Sequence, residues 1–191
     1  MPLAEGLFTV DGLPAHPLLV DAVAVLLPLA ALGAVGLAVH RKVRRRFGWP
    51  VLALTGVAVA AVPLAQATGR QLLFYLPPSP ILARHQQLGD QLLPYALGFG
   101  VAVVFLLVAG RLADRERAAS IRAEHERAGV DSTFANQGSR PAGRTVSTTW
   151  RRLSMVASVL VIAMAVLTTV DVVRIGTTGA ESVWQGVVKR N

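Results

Sequence analysis

Two histidines each open the same short pattern: His16, Leu19 and Asp21 recur as His85, Leu88 and Asp90. Each copy stands just before a long apolar run. A second pattern closes the run that follows, Thr68-Gly69-Arg70-Gln71 in one case and Thr178-Gly179-Ala180-Glu181 in the other. A neutral imidazole is a metal ligand, a proton carrier near neutral pH or a hydrogen-bonding anchor. Two equivalent imidazoles at one depth could converge on a single ligand, and a b-type haem whose iron takes both as axial ligands is a natural occupant. The plain alternative is that His16 and His85 only cap helices and face headgroups or water.

The elements that must position these residues are membrane helices. The 191-residue chain is 53% hydrophobic and only 16% charged, with a mean hydropathy of +0.51, where soluble domains carry about 25% charged residues. Four runs, residues 17–39, 50–67, 92–112 and 154–173, approach or exceed the roughly 20 residues that span a hydrocarbon core. Only helices satisfy the backbone there in a chain of this pattern, so the expected fold is an all-α, four-transmembrane-helix bundle.

Topology follows from the basic residues. Arg41, Lys42, Arg44, Arg45 and Arg46 lie between the first two runs, and nine arginines from Arg111 to Arg152 lie between the third and fourth. These mark the cytoplasmic side and put both termini outside, in a multi-pass membrane protein. The first run lacks a basic segment before it, so it reads as an uncleaved anchor rather than a signal peptide.

His16 to His85 is a step of 69 residues and Thr68 to Thr178 a step of 110. The halves therefore read as two parallel two-helix repeats, residues 13–76 and 81–184, with a cytoplasmic segment 113–151 inserted in the second. Parallel repeats share an axis along the membrane normal, which places His16 and His85 at one outer depth. His16 is expected at or just before a helix N-cap, because Pro17 suits the first helical position.

A secondary polar layer surrounds the pair. Asp21 and Asp90 sit five residues after their histidines, about 500° around a regular helix, which argues against shared coordination and for an interaction with the helix dipole. Asp171 and Arg174, with Thr168 and Thr178, share a helical face near the end of the last run. They read either as a bundle-facing polar site or as a plain i,i+3 ion pair. Gln66, Arg70 and Glu181 complete the layer. His40 lies 24 residues, about 36 Å of helix, from His16 and cannot join it, and His125 belongs to a charged, solvated stretch. That stretch continues the third helix to about Arg127, and residues 129–149 read as a polar loop.

The net charge of +8 is accounted for by topology and anionic headgroups, so the partner it implies is the lipid bilayer and not nucleic acid. With no cysteine there is no disulfide, thiolate metal site or covalent haem attachment.

The runs Gly12-Leu13-Pro14-Ala15-His16-Pro17, Arg84-His85-Gln86-Gln87-Leu88-Gly89-Asp90 and Thr178-Gly179-Ala180-Glu181-Ser182-Val183-Trp184 together resemble a bacterial membrane family catalogued as domain of unknown function 2231. The resemblance covers nearly the whole chain except the cytoplasmic segment. It implies a four-helix membrane domain of the b-type cytochrome-like group, with no established reaction. Thr177 stands where a histidine is expected and Gln71 where an acidic residue is. Both departures weaken a metal-ion site and leave the His16 and His85 pair.

Three functions follow as expectations. The first is a redox membrane protein with one b-type haem near the outer face. The second is a non-catalytic subunit or assembly partner with no cofactor, bound to another membrane protein or to its own copies. The third, ion or proton transport, is disfavoured because the middle and inner parts of the runs carry almost no ionisable residues to continue a path.

Overall fold

The computed structural model describes residues 9, 10, 13–131 and 149–188. A two-residue ladder, β1 (Thr9–Val10) antiparallel to β2 (Leu13–Pro14), precedes the first helix. Four helices follow: α1 (Ala15–Val39), α2 (Arg41–Leu73), α3 (Pro80–Asp131) and α4 (Thr149–Val188). All four are long and apolar enough to cross a membrane, and the chain is a multi-pass membrane protein.

Each helix outruns its apolar segment, since Arg, Glu, Gln and Ala carry helical propensity on into polar surroundings. Thus α3 continues as a charged helix to Asp131. That overruns the expected start of the loop at Gly129, and residues 132–148 lie outside the described ones. The connection from α1 to α2 is His40 alone, extended at φ −115° and ψ 108°. Its N–H donates to Gly36 O and its own carbonyl accepts from Arg44 N, both at 3.0 Å, so a single residue closes one helix and opens the next. His16 is the second residue of α1, inside the first turn, not at a cap. Pro14 holds the N-cap position instead.

The hairpins α1–α2 and α3–α4 form the most extensive pairings, α1 also packs along α4 and α2 along α3, and α1 and α3 meet little across the centre. Buried residues on α1 recur on α3 sixty-nine positions later: Leu27 and Ala96, Ala30 and Phe99, Ala34 and Val103, Leu37 and Leu106. Those on α2 recur on α4 after 110: Thr55 and Ala165, Ala58 and Thr168, Val62 and Val172. Their three- and four-residue steps make one inward stripe per helix. Outward positions are apolar as well, with Leu32 72% and Val101 and Val159 each 68% exposed, a surface that requires hydrocarbon as its solvent.

Between such helices the drive comes from close packing and a few polar ties. Ser158 Oγ is 3.3 Å from Ala38 O, linking α4 to α1, and Thr168 Oγ1 is 3.5 Å from Tyr95 O, linking α4 to α3. Glycines admit close approach inside the bundle. A Cβ on Gly33 would lie 3.0 Å from Val51 Cγ2, and one on Gly98 would lie 2.7 Å from Met164 Cε. The nearer clash is the cheaper one, because a methionine terminus swings away while a β-branched valine is stiff. Gly33→Ala is therefore expected to destabilise the detergent-solubilised protein by about 1–2 kcal/mol, and Gly98→Ala by distinctly less, read from denaturant unfolding. Equal losses would contradict this packing.

Candidate histidine site

Each histidine ties its own helix to its hairpin partner. His16 Nδ1, on α1, lies 3.0 Å from Ala65 O on α2, and His85 Nδ1, on α3, lies 3.1 Å from Ile175 O on α4. A carbonyl oxygen only accepts, so Nδ1 carries the proton in both rings, and in the neutral imidazoles Nε2 is the nitrogen with the free lone pair.

The closing Thr-Gly pairs complete both seats. Thr68 Oγ1 donates to Leu64 O and Ala65 O, both at 3.0 Å, and lies 3.5 Å from His16 Nδ1. Thr178 Oγ1 donates to Arg174 O at 3.1 Å and Ile175 O at 3.0 Å, and lies 3.3 Å from His85 Nδ1. With its proton directed at its own helix, each hydroxyl offers a lone pair to the ring as a second, longer acceptor. The glycine makes room: a Cβ on Gly69 would stand 2.8 Å from His16 Cε1, and one on Gly179 would stand 3.1 Å from His85 Cε1.

The two rings face a common space at the centre of the bundle. Their centroids are 6.5 Å apart and their planes cross at 78°. The space extends inward from the histidines between apolar walls, with Val20 and Val23 on α1, Val62 and Ala65 on α2, Leu92 on α3, and Val172 and Ile175 on α4. Its volume is about 80 Å³. The space is therefore narrow and half-open. Its lining follows the same two steps: His16 and His85, Val20 and Gly89, Val23 and Leu92 are 69 apart, while Val62 and Val172, Ala65 and Ile175, Gln66 and Gly176 are 110 apart. The last pair breaks the likeness. Gln66 Nε2 donates to Gly89 O at 2.8 Å and bridges α2 to α3, whereas exposed Gly176 leaves the matching side of α4 open.

The rest of the polar layer stays outside this space. Asp21 is exposed and does not line it, in keeping with its place around the helix. Asp90 pairs with Arg70 at 3.9 Å, both side chains at least half exposed, a pair of the kind worth little in stability. Asp171 does not pair with Arg174, which corrects the i,i+3 reading. No ion pair joins them among the described residues, Arg174 is exposed, and Asp171 Oδ2 is buried with no hydrogen-bond partner. Glu181 is exposed and lines nothing here. Among the described residues no cluster of three or more His, Asp or Glu side chains could hold a metal ion.

Sequence reasoning found both histidines, Gln66 and Thr178, and missed the acceptors Ala65 O, Ile175 O and Gly89 O, which are backbone atoms with no residue signature. The recurring Thr-Gly pair was the one available signal for the seats. No known family model, curated protein or solved structure matches the chain.

Two imidazoles that share an ion at about 2 Å from one nitrogen of each ring have centroids roughly 6 Å apart, close to the 6.5 Å observed. Nδ1–H bonds to carbonyls are the usual way that ligating histidines are oriented. The space between the rings, about 80 Å³, is well below the roughly 300–1,000 Å³ of small-molecule sites, so a flat ring enters only where the helices part.

Gly69→Ala is expected to expel the His16 ring from its seat while leaving His85 in place, and Gly179→Ala the reverse, with the first the more severe. In ¹⁵N-histidine spectra of the detergent-solubilised protein, the Nδ1–H tautomer should be lost at one ring only in each variant. Loss at both rings, or at neither, would contradict the two separate seats.

Proposed function

We propose that this chain is a redox membrane protein that holds one b-type haem between His16 and His85, near the outer face of the bacterial plasma membrane. The observation that carries the reading is the matched anchoring of the two rings: each gives its Nδ1 proton to a carbonyl of the neighbouring helix, leaves Nε2 free and faces the same narrow space. A bound haem supplies one-electron chemistry. The protein fixes the two imidazoles, keeps apolar walls around them and excludes other strong donors.

Supporting this reading, the steps of 69 and 110 residues run through the histidine seats, the lining and the buried stripes alike. That is the expected trace of two parallel repeats about an axis along the membrane normal. The arginine-rich ends of the helices then lie inside and both termini outside. Membership of the family of unknown function 2231 belongs to the same proposal and rests on the His-Pro opening and the Gly-Ala-x-x-Val-Trp close.

A second reading has one observation in its favour. Each imidazole already ties two helices and fills the notch over a glycine, as a histidine would in a non-catalytic subunit without a cofactor. There His16→Ala and His85→Ala would act through stability or association alone.

The protein purified from cells with ample haem supply is expected to show a Soret band with about one haem per chain, and His16→Ala and His85→Ala each to remove most of it at unchanged helical content. An intact, folded protein that neither carries haem nor takes it up on titration would overturn the haem reading in favour of the second.

A further inference from the structure

The opposite, arginine-rich end of the bundle holds a second cavity, of about 320 Å³, between the start of α2 and the apolar end of α3. Five arginines line it, Arg44, Arg45, Arg46, Arg111 and Arg115, against one carboxylate, Asp114. That carboxylate is already engaged: Arg41 and Arg45 both pair with it, the latter through Nε at 2.7 Å. Among the described residues, Arg44, Arg46, Arg111 and Arg115 form no salt bridge. Four cations around one cleft repel one another, and an anion between them relieves the repulsion.

We propose that this cavity binds the phosphate group of an anionic phospholipid. Guanidinium groups are the preferred partners of phosphate oxygens, which they engage two at a time. A lipid rather than a free anion is indicated by position. The cavity opens where the apolar runs of α2 and α3 end, and its walls include Leu107 and the indole of Trp49, itself 68% exposed. Basic pockets between membrane helices at that level suit headgroups. Arg111 stands 6.0 Å over the Trp49 ring, which keeps its charge at the interface. Gly110 makes room for the Arg44 guanidinium at the wall of the cleft, where a Cβ would stand 2.6 Å from its Nε.

The test is native mass spectrometry of the full chain in detergent with an equal mixture of phosphatidylglycerol and phosphatidylcholine of matched acyl chains. Phosphatidylglycerol is expected to be retained roughly tenfold over phosphatidylcholine. The double substitution Arg111→Gln with Arg115→Gln, which leaves the Asp114 pairs alone, should abolish that preference. Arg151→Gln with Arg152→Gln, which removes equal charge at the start of α4 outside the cavity, should leave it. Equal retention of the two lipids by the unaltered protein, or equal loss in the two double variants, would overturn the proposal. Inorganic phosphate at millimolar concentration should leave the lipid bound, and displacement of the lipid by it would overturn the assignment to a lipid. The unaltered protein decides the first and last of these comparisons even if a variant fails to fold.

Discussion

The arrangement of the histidine-bearing half of the bundle depends on a hydrogen bond made twice, from an imidazole Nδ1–H to a main-chain carbonyl of the next helix. Within each hairpin it fixes the rotation of one helix against the other and selects the imidazole tautomer. It also decides which nitrogen remains for chemistry. Neither bond forms unless the opposing helix lacks a side chain one turn further on, which is why Gly69 and Gly179 follow their threonines. Such ties count for more here than in a soluble bundle, because lipid tails are as apolar as leucine and the hydrophobic effect does little to choose one helix packing over another.

The two ends of the molecule divide the work of polar groups in an apolar solvent. At one end the histidines, threonines and Gln66 spend their hydrogen bonds on backbone carbonyls between helices, leaving a space with almost no charge. At the other end Asp114 of α3 gathers Arg41 and Arg45 of α2 and holds the two helices together where they leave the apolar region. Between the two, small residues and Phe99, Leu106 and Val161 fill the centre, and the buried polar side chains among the described residues are those of Thr55, Thr168 and Thr178.

Much of this was legible in the residues themselves. Length and hydropathy pointed to four helices, and the recurrence of HxxLxD and TGx(Gln/Glu) pointed to the two histidines and their closing partners. The five-residue step kept Asp21 and Asp90 away from them, and both are exposed. Three things were not legible. Backbone acceptors carry no residue identity, so Ala65 and Ile175 gave no sign of their role. Spacing alone brought Asp171 and Arg174 to one face, yet the arginine is exposed and the carboxylate turns inward. The pairing of Asp114 with Arg41 and Arg45 joins residues some seventy positions apart, and no local pattern announces it.

The proposed haem site depends most directly on whether one iron is shared by two crossed imidazoles. Electron paramagnetic resonance of the oxidised, haem-loaded protein reads this, because two axial imidazoles with nearly perpendicular planes give a strongly anisotropic low-spin ferric signal. The planes observed at 78° predict that signal as a single species, lost on replacing either His16 or His85. A high-spin signal, or a low-spin one that survives replacement of either histidine, would contradict it.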